Sequence, residues 1–119
     1  MNIDHIKQFE EFHAHVYFDE ATSSTARTLC ESAGQTFDLT VGRHHEKTVG
    51  PHPRWSCQLA FSKTTLLPLM AWLENNRQGL TVFVHALSGN DYEDHTQLVA
   101  WLGTPVALNL DVFNKDKEA

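Results

Sequence analysis

The sequence predicts an α+β domain in which two helices cover one face of an antiparallel sheet, in the order β-α-β-β-α-β with a C-terminal helical and extended extension. Three observations carry this expectation. Short stretches rich in strand formers recur, mostly with apolar and polar residues alternating, which is the mark of a half-buried strand. Two stretches between them place apolar residues at helical spacing instead. The 119 residues form one domain and leave no room for two, and no repeat, low-complexity tract or linker divides them. The expectation is a single domain over 1–119, with an ordered core at about 10–112 and a charged, frayed tail at 113–119.

Residues 11–18, Glu-Phe-His-Ala-His-Val-Tyr-Phe, alternate with period two. Phe12, Ala14, Val16 and Phe18 take one face; His13, His15 and Tyr17 take the other. Asp19 can cap a helix over 20–33, with Ala26, Leu29, Cys30 and Ala33 inward and Gly34 ending it. Phe37, Leu39 and Val41 predict a second strand closing at Gly42, and 43–54 reads as a polar loop turning on Gly50-Pro51 and Pro53. A third strand follows at 55–61 and a helix at 65–76, where Pro68 is tolerable only in the first turn. Residues 80–85 give a fourth strand, Ser88-Gly89-Asn90 a turn, 92–101 a short helix and 105–110 a final extended piece. This order is ferredoxin-like, with one sheet face left for the extension or a second subunit to cover.

A net charge of −6 with scattered Lys and Arg argues against a nucleic-acid partner. No apolar run reaches the length of a bilayer span, the N-terminus lacks the pattern of a signal peptide, and two isolated cysteines, Cys30 and Cys57, read as reduced and buried. The expected address is therefore the cytoplasm, with no membrane partner. Histidine is the anomaly: eight stand against nine Lys plus Arg, and seven lie between His13 and His95.

Strand parity gathers them. His13, His15 and Tyr17 share the face away from the helices, and Thr81, Phe83 and His85 share it by the same rule. Strands one and four are neighbours in this topology, so His15 and His85 come within reach, and His52 lies on the loop entering strand three. His95 points inward from the extension helix while Asp94 points away. Neutral imidazoles suit Fe(II), Zn, Cu or Ni. No carboxylate falls clearly on that face, Asp38 being the one left open, so a three-histidine site is favoured over two His and a carboxylate. Tyr17 carries a phenol suited to proton transfer, and Trp55, Trp72 and Trp101 are at core-like spacing. Arg43 and Arg54 flank the His44-His45 loop, either solvated or paired with a substrate carboxylate. His5 reads as surface.

His13-Ala-His15-Val-Tyr17-Phe, Gly42-Arg43-His44-His45, Val49-Gly50-Pro51-His52-Pro53-Arg54-Trp55, Val84-His85, Asp94-His95 and Trp101-Leu102-Gly103 stand in an order that resembles the DOPA 4,5-dioxygenase family over residues 10–110. Ala86 departs from the family's usual Pro after the histidine and loosens that strand end. The resemblance implies a small ferredoxin-like domain, often a homodimer, that opens a catechol ring with O2 by extradiol cleavage on Fe(II), Zn or another divalent metal being the alternative. It implies His15, His52 and His85 as metal ligands. It makes His95, His45, His13 and Tyr17 the proton-handling or oxygen-facing residues, and a small aromatic compound the substrate. Two other readings stay open: a zinc-dependent enzyme that does not use O2, and a non-catalytic module that binds a metal or small molecule.

Overall fold

The computed structural model describes residues 2–113. Of the tail expected to fray at 113–119, residues 114–119 lie outside them. Strand β1 (Glu11–Phe18) leads to helix α1 (Ser23–Thr36), then β2 (Thr40–His45), β3 (Trp55–Ser62), helix α2 (Lys63–Asn76) and β4 (Val82–Ala86). A one-turn helix α3 (Asp91–Asp94), β5 (Val99–Leu102) and a 3-10 turn at Leu110–Phe113 follow. Every strand pairing is antiparallel, in the order β2-β3-β1-β4-β5. This is the expected ferredoxin-like α+β arrangement with a fifth strand added beside β4.

The parity of β1 holds throughout. Phe12, Ala14, Val16 and Phe18 are buried with Leu59, Val82 and Val84 against Ala26 and Leu29 of α1 and Leu66 and Leu69 of α2. Apolar burial of this kind, about 25 cal/mol per Å² removed from water, is the main force holding helices to sheet. Ile3 and Ile6 join the same core, so packed structure begins before residue 10, and Phe113 is buried at the other end.

Several element bounds differ from the sequence expectation, each for a physical reason. Helix α1 begins at Ser23 because Asp19 is committed to a turn before it, accepting from Thr22 N at 3.0 Å while Asp19 N donates to Thr22 Oγ1 at 2.9 Å. The helix runs through Gly34, where a Cβ would stand 2.7 Å from Val41 Cγ2, so the glycine lets α1 lie close on β2 rather than ending it. Strand β2 occupies 40–45 instead of 37–41, taking in residues read as loop. It pairs only with β3, with a register shift between Val41 and His44, and an edge strand tolerates such polar, irregular sequence.

Helix α2 starts at Lys63, which puts Pro68 in its second turn. The carbonyl that Pro68 cannot serve belongs to Thr64, and both residues are exposed, so that carbonyl is not buried without a partner. The helix expected at 92–101 is one turn only. Val99–Leu102 pairs with β4 instead, its half-buried and buried residues alternating as on any strand.

Candidate metal centre

On the sheet face away from the helices, His13 stands directly opposite His85 across the β1–β4 pairing, with His15 opposite Phe83. The side chains lean diagonally, and Nε2 of His15 comes to 3.0 Å from Nε2 of His85. His52 reaches in from the loop before β3, its ring centroid 4.1 Å from that of His15. His95, just after α3, brings its ring to 4.3 Å from His85. The ring nitrogens form two sets whose members lie within 4.8 Å of one another: His13, His15 and His85, and His15, His52 and His95. His15 is common to both. The trio of His15, His52 and His85 is not itself one of these sets: His85 converges on His15 with His13, and His52 converges on it with His95.

Hydrogen bonding prepares these rings. His85 Nδ1 donates to Ala86 O at 3.0 Å and His95 Nδ1 to Asp91 O at 2.7 Å, which leaves Nε2 of each with its lone pair. His52 Nδ1 is held by the Tyr17 hydroxyl at 2.7 Å, so its Nε2 too is free to face inward. Anchoring one ring nitrogen so that the other points at an ion is the usual support for a metal-binding histidine. Burial pushes His85 down to about 3 and His52 down to about 4, with the other imidazoles of the cluster adding to the effect. His15 is held well below the ordinary range by burial and by His52 and His85, and His13 is lowered mainly by burial. These groups are therefore neutral at pH 7, the form a metal requires. Two donors at right angles, each about 2.1 Å from one ion, stand about 3 Å apart, which the His15–His85 pair matches. The donor set fits a divalent transition metal.

The face is closed by the chain itself. Phe83 is fully buried beneath the cluster, with Trp101 4.7 Å away by ring centroids and Tyr17 beside both. From β5 the chain crosses back over this side: Thr81 Oγ1 donates to Thr104 O at 2.9 Å and Asn109 N to Pro51 O at 2.8 Å. Phe113 then packs 5.0 Å from the His95 ring. The extension covers this side of the sheet; Trp101, read from the sequence as core, and Phe113, read as the start of the frayed tail, both pack at the cluster.

Other residues lie further out. His45 ends β2 opposite Ser56, half-buried, in neither set of converging nitrogens. Arg43 is exposed on β2, not on a loop. Arg54 is exposed too, but it lines a crevice of about 160 Å³ with Tyr17 and Asp19. His44 faces the helix side, stacked on Phe18. His5 is exposed, with Nε2 2.7 Å from Val99 O. Asp94, expected to point away, is buried, accepting from Ser88 N at 3.0 Å and from the Ser88 hydroxyl.

Fold and site together define a class: a ferredoxin-like α+β domain with a buried histidine centre suited to a metal on the sheet face away from the helices. The chain belongs to the Dopa 4,5-dioxygenase family, whose model matches residues 12–112. It is 26% identical over 112 residues to a DOPA 4,5-dioxygenase of Amanita muscaria, covering 87% of this chain and 49% of that protein. It is 27% identical over 119 residues to an uncharacterized 21.2 kDa protein of Botryotinia fuckeliana, covering 90% of this chain and 65% of that one. The chain thus spans about half to two thirds of the length of these curated relatives. Its fold is also that of a crystal structure described as a candidate dioxygenase of Nostoc punctiforme, with a TM-score of 0.87, 37% identity, and 91% and 94% of the two chains covered.

Proposed function

We propose that the protein is a metal-dependent extradiol dioxygenase that opens the ring of a catechol such as DOPA or a related aromatic. The single observation that carries this reading is the convergence of inward-facing, neutral imidazoles around His15, within a chain of this family. His15, His52 and His85 are the proposed ligands. Iron(II), when bound, supplies Lewis acidity toward the catechol hydroxyls and the electrons that activate dioxygen.

The chain's own residues do the rest. His13 and His95 are less buried than the three proposed ligands, so one of them can take a phenolic proton while the others stay committed. His45 lies close enough to act on His52 and is a further proton acceptor at the margin. Tyr17, whose phenol burial pushes well above its ordinary range, stays protonated, holds His52 and presents an O–H toward the site. Trp101, half-buried and backed by Phe83, gives an aromatic ring an apolar wall to lie against. Arg54 is the proposed partner for a substrate carboxylate, with Arg43 as the alternative. A homodimer and a cytoplasmic address belong to the same proposal; among the described residues, no helix is long and apolar enough to cross a membrane.

The test is anaerobic loading with iron(II), followed by oxygen uptake and visible absorbance with L-DOPA, caffeate and protocatechuate in turn. One O2 consumed per ring, with a yellow semialdehyde product, is the expected result. No ring opening by iron-loaded, reduced protein overturns it. Tightly held zinc without oxygen uptake would point to the non-oxidative enzyme instead.

A further inference from the structure

The row of side chains through His15 crosses four strands. Cross-strand partners point to the same face, and the registers give the row as Gln58 on β3, His15 on β1, Phe83 on β4 and Trp101 on β5. Adjacent strands lie about 4.8 Å apart, so Gln58 is one strand from His15, and Trp101 is two strands away on the other side. The inner members, His15 and Phe83, are buried, whereas the two ends are half-buried. A ring held at His15 therefore lies between an indole on one flank and a side-chain amide on the other.

Gln58 stands among small residues. Its neighbours on the same face of β3 are Ser56 and Ala60. On its outer side β2 is irregular: Val41 pairs with Leu59 and His44 with Cys57, so Gly42 and Arg43 together oppose Gln58. At Gly42 a Cβ would stand 3.3 Å from Gln58 Cβ and 3.2 Å from Gln58 O, so the glycine keeps that side free of a side chain. Among the described residues the Gln58 amide makes no hydrogen bond, although its nitrogen can donate and its oxygen accept. A long amide without a partner, ringed by small side chains and next to His15, is placed to read a bound molecule.

We propose that Gln58 is a specificity-determining residue whose amide hydrogen-bonds a further hydroxyl carried on the ring of the bound catechol. The inference rests on the metal-dependent reading of the site given above. Two points select the group. The amide is neutral and both donates and accepts, as a hydroxyl does, whereas a carboxylate calls for a cation such as Arg54. Gln58 is a single strand from His15, so the group it meets sits on the ring itself and not on a flexible arm. The substrate class is thus a trihydroxylated aromatic ring, with two oxygens for the metal and the third for Gln58.

Gallate and protocatechuate make the test, because they differ by one ring hydroxyl and share the carboxylate. The full chain is loaded with zinc, freed of excess ion and titrated with each compound under argon by calorimetry, so no turnover is needed. The wild type should bind gallate more tightly by about fivefold, the equivalent of about 1 kcal/mol, which one neutral hydrogen bond contributes. Gln58→Ala and Gln58→Met should each bring the two dissociation constants within about twofold of one another, with zinc still bound. Gln58→Met keeps the length of the side chain, so a preference lost in Gln58→Ala alone would mean packing and overturn the proposal. Equal affinities in the wild type, no binding of either compound, or a preference that survives both substitutions overturn it as well. These outcomes with zinc held sink this inference alone. An iron-loaded chain without oxygen uptake sinks the ring-cleavage reading alone, and a chain that holds no metal sinks both.

Discussion

The hydroxyl of Tyr17 and Nδ1 of His52 stand 2.7 Å apart, and this bond ties the central strand of the sheet to the loop that enters β3. The two residues are 35 positions apart, both are buried, and the bond sets which nitrogen of His52 faces the cluster.

Tyr17→Phe removes that bond and little else. The buried His52 nitrogen loses its partner, so unfolding by urea should show a loss of about 1–3 kcal/mol. Metal affinity should drop about 10- to 100-fold, as when an anchoring partner of a metal-binding histidine is lost. A competition titration that finds wild-type affinity would remove Tyr17 from the site.

His15 belongs to both sets of converging nitrogens, so no metal position proposed here can do without it. His15→Ala should abolish stoichiometric binding of zinc or iron(II), read by calorimetry and elemental analysis. His52→Ala and His85→Ala should do the same, whereas His5→Ala, exposed and outside both sets, should bind as the wild type does. Retention of one equivalent by His15→Ala would place the metal elsewhere.

The metal-free protein should lose stability in acid. An unfolded histidine takes up its proton near pH ~6.5, while His52 and His85 resist until about 4 and about 3. The unfolded chain therefore binds more protons between those limits. Stability from these groups is complete above pH ~6.5 and drains away as pH falls toward 4, by on the order of 5 kcal/mol for the pair. Thermal melts from pH 7 to pH 4 should show the falling Tm, and a flatter profile in His85→Gln. A wild-type Tm level across that window contradicts buried neutral imidazoles.

Phe113 anchors the covering segment on His95. Phe113→Ala should cost about 3 kcal/mol or less, and it should speed amide exchange at residues 104–110 while leaving β1 protected. Equal acceleration in β1 would mean that the segment is part of the core rather than a cover.

Much of this site was legible in the sequence because strand parity is a strict code. Residues 11–18 alternate without a break, so the face shared by His13, His15 and Tyr17 followed from spacing alone. Neighbouring strands one and four then brought His85 to them. The missed pieces lack a periodic signal. Val99–Leu102 is four residues, too short to be told from the end of a helix, and its pairing with β4 is a tertiary fact. Strand β2 runs over Gly-Arg-His-His because an edge needs hydrogen bonds on one side only. Asp94 looked outward on a helix pattern; in a single turn it bends back to Ser88. Residues 103–109 adopt no helix or strand, so no propensity could have shown that they return across the sheet.

That return path bears on synthesis. The chain leaves the ribosome N-terminus first, and residues 103–113 follow every strand of the sheet. β1, made first, waits for β3 and β4 before its histidine face has neighbours. The nascent domain therefore passes through a stage in which the sheet is paired and the imidazoles still face water. Any ion that the centre takes can enter at that stage without forcing the cover aside, because residues 103–113 are made last among the described residues.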